Sequence, residues 1–321
     1  MSNSEIVKEL QKSFDINAIY ARKLVGSIKK TDRIFEQISE IIANKPKPFV
    51  KWVGGKRQLL AQFRLRNLFP PELFDPLKNT YHEPFVGGGA VFFDLLPKNA
   101  ILSDLNKELV TTYNIIKSDV DGLIKSLQKH KVSKEYFLKI RAKDVSKLSD
   151  IEIASRFIYL NRTCFNGLYR VNRSGQFNVP FGKNKNPLIC DEVNLRRVSE
   201  ALQNVTIKHQ DYKEVLKKAK KGDFVYFDPP YYPVSRTSSF TAYTADAFLE
   251  KEQIELRDIF VALDKKGCFV MLSNSDTSFI NKIYSEIQSK KIRINSVLAG
   301  RAVNAKASGR GKITEVVITN Y

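Results

Sequence analysis

The chain has 321 residues, 43% of them hydrophobic, which suits one large domain or a core with an insertion. Lys and Arg number 53 against 34 Asp and Glu, and the net charge of +19 points to a polyanionic partner, nucleic acid ahead of a membrane surface. No apolar run reaches the ~20 residues of a membrane span, MSNSEIVKELQK lacks a signal-peptide core, and Cys164, Cys190 and Cys268 are few and scattered, so a cytoplasmic protein with reduced thiols is expected.

Residues 1–46 predict a helical N-terminal arm. SEIVKELQKSF and DRIFEQISEIIA both carry apolar residues at helical spacing, and NKPKP ends the arm. FVKWVGGKRQLL then predicts a strand, a glycine turn and a helix start. TYHEPFVGGGAVFFDLL repeats that pattern, and NAILSDLNKELVTTYNIIK predicts a third strand and helix. Such alternation predicts an α/β fold with a parallel, doubly wound, Rossmann-like sheet. It breaks over 114–200, mostly helical around the turn-rich NGLYRVNRSGQFNVPFG, and resumes at VTIKHQD, DFVYFDPP, GCFVMLSNSD and ITEVVITNY. The expected organisation is a core of 47–113 and 201–321 interrupted by a helical module, 114–200. Neither CxxC nor HExxH occurs, so no metal site is expected.

Gly87, Gly88 and Gly89 fall between a predicted strand and helix, where glycine lets the backbone turn tightly and approach a ligand. The spacing is Phe85-x-Gly87-x-Gly89, one short turn, and not the G-x-G-x-x-G of a dinucleotide fold. It fits a nucleoside ligand without a pyrophosphate, such as S-adenosylmethionine (AdoMet). Asp104 ends the next strand, where a carboxylate can accept from ribose hydroxyls; capping the following helix is its alternative use.

GDFVYFDPPYYP carries the most specific signal. Asp228 sits at the carboxyl end of a strand, where α/β folds bind ligands. Pro229 and Pro230 have no N–H and a fixed φ, so their carbonyls are held out rigidly. A carboxylate beside a peptide carbonyl gives two acceptors, which match an exocyclic –NH₂, a double donor. Tyr231 offers a face on which a heterocycle can stack. The amino nitrogen of adenine or cytosine is a poor nucleophile because its lone pair is delocalised. Accepting both hydrogens draws density onto nitrogen and frees the lone pair to meet a methyl sulfonium.

Taken together, KWVGGK, EPFVGGGAVFF, SDLN, NRTCFNGLYRVNRSGQFNVPFG and DPPYYP, in that order, resemble the Dam-type (α-group, D12 class) DNA adenine-N6 methyltransferases over most of 47–321. The resemblance implies an AdoMet-dependent methyltransferase core with an inserted target-recognition module at 114–200. It implies that Trp52 and Lys56 contact AdoMet with Phe85, Gly87 and Gly89, that Asp104 and Asn106 lie on the ribose side, and that Asp211 and Tyr212 lie by the adenine. Asp228 would serve both cofactor and target base, and Asp228, Pro229, Pro230 and Tyr231 would be catalytic. Lys51, Phe165, Asn166, Leu168, Arg170 and Arg173 match positions that touch DNA. The family often has Tyr at Phe165; a phenyl ring still stacks but has no hydroxyl to donate.

The implied reaction is site-specific methylation of the N6 amino group of adenine in double-stranded DNA with the base flipped out, GATC being the leading site. The resemblance also leaves room for a cognate restriction endonuclease. Charge agrees with a DNA partner. Ile153–Cys190 has no acidic residue but contains Arg156, Arg162, Arg170, Arg173, Lys183 and Lys185. Ile287–Thr314 has none either, with Lys290, Lys291, Arg293, Arg301, Lys306, Arg310 and Lys312. Three alternatives stay open: a cytosine-N4 methyltransferase, a methyltransferase of another amine, and a non-catalytic DNA-binding module.

Overall fold

A computed structural model describes residues 3–14, 16, 18–27, 43–71, 73–234, 248–300 and 312–321. The expected helix DRIFEQISEIIA lies almost wholly outside the described residues. Helices α1 (Asn3–Phe14) and α2 (Ala18–Ser27) form the described arm. Their apolar faces are buried: Leu10, Ile19 and Ala21 share one core with Phe63, Phe92 and Phe93. At the arm's exit, Lys45 Nζ and Arg64 Nη1 both reach Asp94 Oδ1, at 3.2 and 3.0 Å.

The core is a seven-stranded sheet in the order β3-β2-β1-β4-β5-β7-β6. Its strands are β1 (Thr80–Glu83), β2 (Asn99–Asp104), β3 (Val205–His209), β4 (Phe224–Phe227), β5 (Phe269–Ser275), β6 (Arg293–Gly300) and β7 (Lys312–Thr319). β3, β2, β1, β4 and β5 pair in parallel, whereas β7 runs antiparallel to both β5 and β6. The sheet is therefore mixed and not all-parallel as expected, and β6 was not anticipated. Its sequence, RINSVLAG, exposes Arg293, Ser296 and Leu298 and carries polar residues on both faces. Such an edge strand has no continuous apolar run to announce it. Central β4, FVYF, is buried at every position, the pattern of a parallel strand covered on both faces.

One expected strand is absent: Phe49–Trp52 is irregular. Its backbone, and that of Lys47 just before it, is tied to side chains and not to a neighbouring strand. Lys47 N–H donates to Asn194 Oδ1 and its carbonyl accepts from Asn194 Nδ2, both at 2.9 Å. Lys51 N–H donates to Asn161 Oδ1 and its carbonyl accepts from Asn161 Nδ2, both at 2.8 Å. Arg162 Nη2 donates to the Phe49 carbonyl. The local β-like pattern is real, but the edge it meets is a helix surface.

Two short helices, α3 (Leu60–Leu65) and α4 (Ala90–Leu95), lie before and after β1, and between β2 and β3 the chain forms α5 (Lys107–Ser118), α6 (Val120–Leu127), α7 (Lys134–Arg141), α8 (Asp150–Thr163) and α9 (Glu192–Leu202). Residue 114 falls inside α5, so the helical segment begins before the expected boundary. After α8 the chain turns through Phe165–Gly167 and closes a loop with the antiparallel bridges Cys164–Phe181 and Val171–Phe177. Asn172 Oδ1 accepts from the N–H groups of Ser174 and Gln176, which shapes the loop tip. No helix among the described residues is long and apolar enough to cross a membrane.

Candidate active site

Strand order fixes where a ligand can lie. From β1 the chain winds toward β2 and β3, and from β4 it winds toward β5, so the carboxyl ends of adjacent β1 and β4 border a crevice. A cleft of about 1050 Å³ opens there. Its lining joins Lys51, Trp52 and Lys56, the glycine turn 85–89, Asp104, and Asp228–Tyr231. Glu83, Arg162 and Glu315 also line it.

The glycine turn follows β1. Gly87 has φ +46° and Gly89 φ +68°, so a side chain at either would be strained. A Cβ would also stand 2.6 Å from the Trp52 ring at Gly87 and 2.6 Å from Tyr113 Oη at Gly89. Asp104 ends β2 and shapes the same turn: Oδ2 accepts from Gly87 N–H at 3.0 Å and Oδ1 from Asn106 N–H at 2.9 Å. Burial raises its pKa, opposed by those backbone donors. Asp104 does not cap α5; Asn106 does, its Oδ1 accepting from Leu109 N–H at 3.0 Å.

Asn106, Asp211 and Tyr212 do not line the cleft. Asp211 accepts from Lys213 N–H and caps a short turn. Tyr212 stacks on Phe85 with ring centres 5.1 Å apart, so the wall reaches Tyr212 through that ring.

At the end of β4, Lys56 Nζ lies 2.7 Å from Asp228 Oδ1, both side chains mostly buried. The same ammonium donates to the Gly54 carbonyl at 2.6 Å and stands 4.8 Å from the centre of the Tyr231 ring. Burial raises the Asp228 pKa, and the Lys56 charge opposes that rise. Tyr231 Oη donates to Glu315 Oε2 at 2.8 Å. The Pro230 carbonyl accepts from Gln253 Nε2 at 3.0 Å, and Gln253 Oε1 accepts from Asn274 Nδ2 at 2.9 Å. Asn274 Oδ1 accepts from Tyr232 N–H at 3.1 Å. The Pro229 carbonyl has no such partner among the described residues, which leaves it as the acceptor beside Asp228. Lys56, Gln253 and Asn274 thus hold the loop in one shape.

Four residues of this arrangement escaped sequence reasoning: Glu83, Gln253, Asn274 and Glu315. Glu315 had a signal, since it is the acid that ends the acid-free run Ile287–Thr314 and sits within an apolar strand. Glu83 lies at the end of β1, and Tyr81 Oη and Phe92 N–H both donate to its Oε2. Burial pushes its pKa up to about 8. An unfolded Glu releases its proton near 4.5, so folding stability falls as pH rises from about 4.5 to 8. Glu83→Gln, which mimics the protonated acid, is expected to flatten the decline of Tm across that window in a pH series of thermal melts.

The six expected DNA-contacting residues do not all stand together. Lys51 lines the cleft, and Asn161 Nδ2 ties its carbonyl and that of Gly167 together. Phe165 is 44% exposed and Asn166 is exposed beside it, while Leu168 is half-buried. Arg170 and Arg173 are exposed on the loop, and Arg170 Nε donates to Asn178 Oδ1 at 2.7 Å. Lys183, Lys185, Lys290, Lys291 and Arg293 are exposed. Arg156 is a correction: it is buried in an ion pair with Glu108 at 2.8 Å, so it offers no charge to phosphate. Arg301, Lys306 and Arg310 lie outside the described residues.

Comparison with known proteins decides the family. Residues 52–297 match the D12 class N6 adenine-specific DNA methyltransferases. The chain belongs to that family. It is 46% identical over 283 residues to the type II methyltransferase M1.LlaDCHI of Lactococcus lactis subsp. cremoris, covering 86% of this chain and 95% of the relative. It is 44% identical over 293 residues to the type II methyltransferase M.MjaIII of Methanocaldococcus jannaschii, covering 86% and 99%. It is 32% identical over 277 residues to the DNA adenine methylase of Escherichia coli K12, covering 85% and 95%. This D12 class protein is therefore an enzyme that methylates adenine in DNA, which excludes cytosine N4 and a purely binding role. The family implies AdoMet as methyl donor.

Proposed function

We propose that the cleft between β1 and β4 binds AdoMet and a flipped adenine together, and that Asp228 and the Pro229 carbonyl accept the two N6 hydrogens. The observation that carries this reading is the Asp228–Pro229 edge, held at the mouth of β4 across from the glycine turn. AdoMet, when bound, supplies a methyl group on a positively charged sulfonium. The lining fits such a ligand. Asp104 is an acceptor for ribose hydroxyls, and Trp52 and Phe85 offer ring faces. Asp228 and Glu315 give negative charge near a sulfonium, and Lys51, Arg57 and Arg162 give positive charge for a carboxylate. Because Asp104 also holds the glycine turn, Asp104→Ala is expected to weaken AdoMet binding by about tenfold or more, as titration calorimetry would read.

Asp228 does its work as a carboxylate. With Oδ1 on Lys56, Oδ2 remains for one amino hydrogen, and the Pro229 carbonyl takes the other. The nitrogen lone pair is then turned out of the ring plane toward the methyl group. The face of Tyr231, with its hydroxyl on Glu315, stacks on the flipped base. Extrusion costs a few kcal/mol, offset by stacking of about 1–3 kcal/mol and by these hydrogen bonds.

Residues 114–200 act in this reading as the target-recognition module, with Lys51, Phe165, Asn166, Leu168 and Arg170 at base edges and Arg173 on the backbone. GATC is the proposed site. Higher identity to two type II methyltransferases than to DNA adenine methylases favours a restriction–modification role, with a cognate endonuclease as companion. Sequencing of methylated adenines in DNA from cells expressing the chain tests the reading. N6-methyladenine confined to GATC is the expected result. Methylation at another word would overturn the site, and none at all would overturn the function.

A further inference from the structure

Asn161, on the last turn of α8, is 0% exposed and makes three hydrogen bonds with its amide. Oδ1 accepts from Lys51 N–H at 2.8 Å. Nδ2 donates to the Lys51 carbonyl at 2.8 Å and to the Gly167 carbonyl at 3.0 Å. One buried amide therefore fixes both the residue that precedes Trp52 and the turn that carries Phe165 and Asn166. The two pieces touch: a Cβ added at Gly167 would lie 2.5 Å from Lys51 Cδ. The sheet gives Lys51 no register, because Phe49–Trp52 pairs with no strand.

We infer that Asn161 is a positioning residue for sequence discrimination, holding Lys51 against the Phe165–Gly167 turn so that the two read DNA as one rigid unit. This rests on the reading that Lys51 and the turn meet base edges. The physical reason is reach. Lys51 is a flexible four-carbon chain, and a lysine discriminates bases only if its Cα is held in place. A backbone pinned at both its N–H and its carbonyl cannot slide or rotate without breaking two part-buried bonds to a buried amide.

Asn194 supplies a matched control. It clamps the N–H and carbonyl of Lys47 in the same way, at 2.9 Å each, but makes no bond to the turn. The full-length enzyme is assayed on duplexes holding the site that wild type methylates and on every single-base variant of it, with kcat/KM for each. Asn161→Ala is expected to reduce discrimination at one or more positions by about tenfold or more. Asn194→Ala is expected to lower Tm and leave discrimination unchanged. Should Asn161→Ala not fold, Asn161→Asp keeps the shape and the acceptor for Lys51 N–H but has no hydrogen for the two carbonyls, and is expected to show the same loss. Lys51→Ala should reproduce the loss, and the Lys51→Ala/Asn161→Ala double variant should be no worse than either alone.

A folded Asn161 variant with wild-type discrimination would overturn the inference, as would equal losses in Asn161→Ala and Asn194→Ala. If Lys51→Ala leaves discrimination intact, the base-contact reading beneath the inference fails instead.

Discussion

Asp228→Asn is expected to lower kcat at saturating AdoMet by about two to three orders of magnitude, as much as Asp228→Ala, while duplex binding stays near wild type. An amide is a small change in shape, and its carbonyl can still accept. The geometry argues otherwise. Lys56 Nζ, 2.7 Å from Oδ1, would claim the single amide oxygen. The NH₂ would then face the adenine amino group, donor against donor. The charge that offsets positive charge developing on N6 is lost as well. Duplex affinity should survive because Arg173, Lys183 and Lys185, the side chains proposed to meet phosphate, are exposed and do not line the cleft. Single-turnover assays with saturating AdoMet separate chemistry from binding. Turnover of the Asn variant well above that of the Ala variant would show that the remaining oxygen still serves the base.

The chemistry was legible in the sequence because it is local. A carboxylate, two prolines and a tyrosine in a row mean much the same wherever they fold, and so does a glycine turn between a strand and a helix. What stayed hidden depends on partners far along the chain. Phe49–Lys51 reads as a strand by composition, yet its hydrogen bonds go to Asn161 and Arg162, more than a hundred positions away. Arg156 reads as a phosphate ligand by charge, yet Glu108 and the Ile140 carbonyl hold it inside. Glu315 stands against Tyr231 only because β7 inserts antiparallel between β5 and β6, and no local pattern announces β6. Charge and periodicity tell what a residue could do; pairing across the sheet and between helices decides which of them are free to do it.

That distinction matters most at Lys56, whose ammonium is buried and pairs directly with the Asp228 carboxylate. Lys56→Met is expected to move the acid limb of the pH–kcat profile upward by about one unit or more. Asp228 must be ionised to accept from the amino group. Its pKa already lies above the ordinary carboxylate value because it is buried, and Lys56 is the largest influence opposing that rise. Removing the cation takes away the opposition, so the carboxyl keeps its proton to higher pH. Activity in the variant should thus be lost first at acidic pH and recover as pH rises, whereas wild type holds its rate further down. Methionine keeps the length and apolar contacts of the stem, which limits the packing cost. The measurement is kcat across pH with AdoMet and duplex both saturating, because Lys56 also lines the cofactor wall. A uniform fall at all pH values would show that Lys56 serves only to bind or to pack. A displaced acid limb that vanishes on adding Asp228→Asn would assign the titration to that carboxylate.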